Sequence, residues 1–148
     1  MLHRALRTPP RRGATVVETA IVIGACLIFM FAVFEYGRFV MLKQLLENAA
    51  REGARQATTG TSTLTTADIQ ATVTQYLAGQ PLSNVTTQVY RADPATGTNL
   101  GDWTTAPFGQ AIAVQVDASY APILPTMGFL QNPTGLRATA VMRSEAIN

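Results

Sequence analysis

The spacing of apolar positions changes twice along the chain, and each change marks a different kind of element. From Ala14 to Phe34 nearly every side chain is apolar or small, and the run from Thr19 to Phe34 (TAIVIGACLIFMFAVF) carries no charge. That length suits a membrane span of about 20 residues. Beyond it the pattern thins. Phe39, Leu42, Leu45, Leu46, Ala49, Ala50, Gly53, Ala54 and Ala57 recur at three- and four-residue intervals, with Lys43, Glu47, Arg51, Glu52 and Arg55 between them. This is the signature of an amphipathic helix. No proline falls between Ala14 and Pro81, so one helix is predicted over residues 14–57. It would be about 65 Å long at 1.5 Å per residue, roughly twice the hydrocarbon thickness, and its second half must stand in water.

The second change follows Ala57. Thr58-Thr59-Gly60-Thr61-Ser62-Thr63 ends the long helix with a glycine and a run of hydroxyls. A short helix is predicted next. Thr65 is placed to cap it with Asp68 three residues on, Ile69, Val73, Tyr76 and Leu77 mark its buried side, and Gly79 and Pro81 close it. Alternation with period two then predicts strands over residues 85–91, 111–120 and about 136–144, the second carrying Ile112, Val114, Val116, Ala118 and Tyr120 on one face. Between the first two lies a Gly-, Pro- and Thr-rich stretch, and between the last two a connection with Pro122, Pro125 and Pro133. The expected architecture is α+β: a small three-stranded antiparallel sheet packed on the long helix, with residues 58–148 as one domain. Some 90 residues suffice for one small core but not two.

Charge changes the picture at the amino terminus. The chain of 148 residues has 11 basic and 9 acidic side chains, a formal net charge of +2. Four of the basic ones, Arg4, Arg7, Arg11 and Arg12, precede Gly13. With those removed, seven basic side chains face nine acidic ones, so the basic balance carries no argument for nucleic acid binding. Arginines just before a first span stay cytoplasmic, which sets the carboxy-terminal domain outside. Glu18, a lone carboxylate at the mouth of the apolar run, costs about 2 to 3 kcal/mol to insert even on the gentlest scales. It therefore needs a function. The one cysteine, Cys26, lies inside the apolar run and excludes an intrachain disulfide. Ile23-Gly24-Ala25-Cys26 has the form of a lipobox, but the residues after it are more apolar than those before, where a lipoprotein turns to a polar tether. No small-x-small secretory cleavage site appears where the apolar run ends.

At Gly13-Ala14 and Glu18 the sequence resembles the cleavage signature of type IV prepilin-like proteins. Glu35-Tyr36-Gly37-Arg38 and Asn48-Ala49-Ala50-Arg51-Glu52-Gly53-Ala54-Arg55 resemble the TadE-like minor pilins (pseudopilins) of the tight adherence (Flp) pilus system, and residues 136–143 look like that family's closing strand. The resemblance implies a pilin-like fold and a basic leader over residues 1–13. It implies cleavage between Gly13 and Ala14 by a prepilin peptidase, which leaves the glutamate as the fifth mature residue. Partners would be the cytoplasmic membrane, that peptidase, and other pilins with their assembly machinery. Thr19 stands where short major Flp pilins usually carry tyrosine, which favours a minor subunit.

Other chemistry finds little support. The only histidine, His3, is in the leader, and Asp68, Asp93, Asp102, Asp117 and Glu145 show no paired spacing, so no enzyme activity, cofactor, metal or small-molecule substrate is expected. Asp93, Asn99 and Asp102 do not fit the EF-hand template. The sequon Asn84-Val85-Thr86 has meaning only in a pathway that glycosylates it. Glu35, Tyr36 and Arg38 read as an anchor where the span meets water. Ala49, Gly53 and Ala57 form a small-xxx-small series that packs either on the chain's own domain or on a neighbouring subunit. Trp103 and Phe108, with Tyr90, read as caps on the open sheet edge or as an adhesive patch. The competing function is an uncleaved, membrane-anchored binding module, indifferent to Glu18.

Overall fold

The computed structural model describes residues 12–61, 63–123 and 133–145. Most of the basic leader, and Pro125 of the last connection, lie outside them.

Among the described residues, five elements follow one another: α1 (Arg12–Thr59), α2 (Thr66–Tyr76), β1 (Leu82–Arg91), β2 (Ala111–Tyr120) and β3 (Thr134–Arg143). The fold is α+β, as the periodicities predict. Helix α1 extends two residues past each expected end, so Arg12 and Gly13 are helical.

Residues 12–34 form a compact unit of their own, separate from the described residues from Glu35 onward. Their described side chains are almost all exposed, and this part of α1 is long and apolar enough to cross a membrane.

In the second unit the sheet order is β1-β2-β3, antiparallel throughout. Strand β2 is central. Its alternation buries Ile112, Val114, Val116, Ala118 and Tyr120 in a core shared with Leu42, Leu46, Ala49, Ala50, Ala54 and Ala57 of α1 and with Ile69, Val73 and Leu77. Helix α2 is held at its start by a capping box, in which the Asp68 N–H donates to the Thr65 hydroxyl and the Thr65 N–H to the Asp68 carboxylate (2.8 Å). Tyr76, expected on the buried side, is instead exposed. The buried stripe steps by four through 69, 73 and 77, which turns Tyr76 off its edge. Strand β1 begins three residues early because a register shift between Ser83 and Thr86 absorbs Asn84 at φ 51°, a left-handed conformation that asparagine tolerates better than most residues.

Candidate functional site

Glu18 sits on an exposed turn of α1 and has no side-chain partner among the described residues. Beside it the Thr19 hydroxyl donates back to the Thr15 carbonyl (2.8 Å), so this neighbour's polar group is satisfied within the helix. A methyl group added at Gly13 would meet nothing within 4 Å. Packing in this chain therefore does not require glycine at that position. Ala14 is likewise exposed, one helical turn before Glu18.

The structure divides the residues read together as a water-facing anchor. Tyr36 is 67% exposed, as an anchor requires, whereas Glu35 is only 7% exposed. Glu35 turns into the domain instead. Its Oε1 accepts from the Tyr120 hydroxyl, at the end of β2, and from the Ile123 backbone N–H (3.3 Å). Arg38 Nη1 lies 3.9 Å from the same oxygen, and its guanidinium carbon stands 5.3 Å from the centre of the Tyr120 ring. Phe39 packs on that ring at 6.1 Å. Burial first, and then the neighbouring Glu35 carboxylate, push the Tyr120 hydroxyl up to about 12. A buried carboxylate needs such donors to remain tolerable. The signal in the sequence was a lone acid at the end of the apolar run, but its partner lies 85 residues away.

Ala49, Gly53 and Ala57 are all buried against the chain's own domain. A Cβ on Gly53 would lie 3.0 Å from Val73 Cγ2, 3.3 Å from Ile69 Cγ2 and 3.3 Å from Val114 Cγ1. The series thus admits α2 and β2 to close approach with α1, the first of its two expected uses.

The aromatic loop also divides. Trp103 is 1% exposed, in the core, with its indole N–H donating to the Thr66 hydroxyl (3.0 Å). Tyr90 is buried with Ala92, Ala111 and Ala113 in a small second cluster. Phe108 alone stands free, 68% exposed. Asp93, Asn99 and Asp102 each turn a side-chain oxygen onto nearby backbone N–H groups: Asp93 to Ala95 (2.7 Å), Asn99 to Gly101 (2.7 Å) and Asp102 to Thr104 (3.0 Å). Those contacts shape turns.

Compared with known proteins, residues 13–55 match a family model described as TadE-like protein. The match begins on Gly13, takes in Glu18 and covers most of α1. Residues 136–143 fall outside the match. No curated protein and no solved structure matches the chain.

Proposed function

We propose that this chain is a minor pilin, or pseudopilin, that takes part in assembling a tight adherence (Flp) pilus. One observation carries the reading: the TadE-like match starts on Gly13 and runs through Glu18 along a helix apolar enough to span a membrane. Three features of the residues support it. The helix has no packing need for glycine at position 13. The carboxylate of Glu18 is unpartnered among the described residues, and the arginines ahead of Gly13 are placed to hold the amino terminus in the cytoplasm.

The mechanism follows from charge. A prepilin peptidase cuts between Gly13 and Ala14, and the small glycine fits where a larger side chain would obstruct. The new ammonium on Ala14 then lies one helical turn from Glu18. Within the apolar layer it neutralises that carboxylate in its own or a neighbouring subunit. The pair sets axial register, because a misregistered subunit leaves a charge unpaired in an apolar setting. The role is assembly rather than catalysis. Glu18→Ala is expected to be cleaved normally yet fail to support piliation, whereas a bulky residue at Gly13 leaves the precursor uncut. Wild-type piliation by the Glu18→Ala strain would overturn this reading.

A further inference from the structure

The sheet has two edges, and the chain treats them differently. Helix α2 lies alongside β1, where the Gln70 side-chain amide donates to the Thr87 carbonyl (3.0 Å). Over residues 137–142, β3 has β2 as its only strand partner among the described residues. Its other side opens onto a groove of about 570 Å³, walled by residues 137–142 of β3 and by Lys43, Glu47 and Arg51 of α1. The end of β3 is pinned to α1 by the Glu145 N–H on the Thr58 carbonyl (3.1 Å), so both walls belong to one scaffold. Lys43 has no ion pair among the described residues, and Arg51 only a loose, exposed one with Glu47 (3.6 Å). The groove wall on α1 is therefore net positive.

An open edge of this kind is a template for another chain. Two β3 edges cannot meet comfortably, since each would bring its own basic wall to the other. The complement lies elsewhere on the same domain, in the loop between β1 and β2. There Asp93 and Asp102 each accept backbone N–H groups of the loop on one carboxylate oxygen, while the nearby Arg91 guanidinium donates to the Leu100 carbonyl (3.0 Å). Leu100, which lies between the two acids in sequence, is 44% exposed. The bridge Ala92↔Asn99 keeps this loop extended at its base.

We infer that the β3 edge and the adjoining α1 wall form an interaction surface for a second copy of this chain, which docks its Asp93, Leu100 and Asp102 loop into the groove. The contact is heterologous, one subunit's loop on the next subunit's edge, so it propagates as an open series rather than closing as a two-fold dimer. It rests on the filament reading above and adds to it a contact outside the apolar helix.

The test is sedimentation velocity of the full chain in detergent micelles at about 0.1 M and about 1 M salt, between which the Debye length falls from about 10 Å to about 3 Å. Self-association is expected at low salt and should weaken by about tenfold or more at high salt. Lys43→Gln with Arg51→Gln should weaken it similarly. So should Asp93→Asn with Asp102→Asn, which keeps the turn-forming oxygens. Mixing the two double variants should not restore open-ended growth, because each supplies only one good surface. A wild-type chain that stays monomeric, or association through the apolar helix that ignores both salt and these variants, would overturn the inference. Leader cleavage and the Glu18 dependence of piliation are read separately in cells. Their failure with salt-sensitive association intact would sink the pilin reading and leave this contact standing, and the reverse pattern would do the opposite.

Discussion

At Tyr120 a single hydroxyl decides whether a buried carboxylate is tolerated. Tyr120→Phe keeps the ring beside Phe39 but leaves Glu35 with the Ile123 N–H and a distant Arg38. Loss of that donor is expected to cost about 1 to 3 kcal/mol, read as a lower urea midpoint. The same pair gives a pH dependence. Folding favours the neutral phenol, whose folded value is pushed up to about 12 by burial and then by Glu35. Unfolded tyrosine ionises near about 10, so this stabilisation is complete below that pH and is lost as pH rises towards the folded value. Unfolding midpoints taken across that window should fall in the native chain, and Tyr120→Phe should lack that component. Glu35 was visible in the sequence as a charge closing an apolar run. Its partner was not, because the register of α1 against β2 is set by tertiary packing rather than by local spacing.

Among the elements, the periodic ones were the most legible. All five residues expected on the buried face of β2 are buried, with Ala111 and Ala113 of the other face buried as well, and the Thr65–Asp68 box marks the start of α2. Thr65→Ala should destabilise the domain by about 1 kcal/mol, checked by thermal unfolding. The Thr65 hydroxyl, and then its backbone N–H, hold the Asp68 carboxyl below the usual carboxylate range. Its contribution to the cap is therefore present above the unfolded value near about 4 and disappears as pH falls through the lowered folded value. Less legible was the purpose of the small residues on α1, since a small-xxx-small series serves an intramolecular neighbour as well as another subunit. The close contacts around Gly53 identify α2 and β2 as the neighbours. Gly53→Leu should force these elements apart at a cost of about 1 to 3 kcal/mol or more, visible as a lowered melting temperature. Trp103 was read as an edge cap or adhesive residue because loops are usually exposed. It lies instead in the core beside Thr66, so Phe108 is the one aromatic side chain of that loop left facing solvent.

For the molecule as a whole, the division at residues 34 and 35 coincides with the end of the uncharged run. One part is built to lie among apolar surroundings, and the other carries a self-sufficient core with Glu35 as its first buried side chain. The proposed function joins them in sequence: insertion with the arginines inside, removal of residues 1–13, then register set by the Ala14 ammonium and Glu18. Every later step depends on the cut. The most direct measurement is the intact mass and amino-terminal sequence of the chain extracted from its native membrane. The account predicts a protein that begins at Ala14. A chain that retains Met1 to Gly13 would contradict it and favour a permanently anchored binding module.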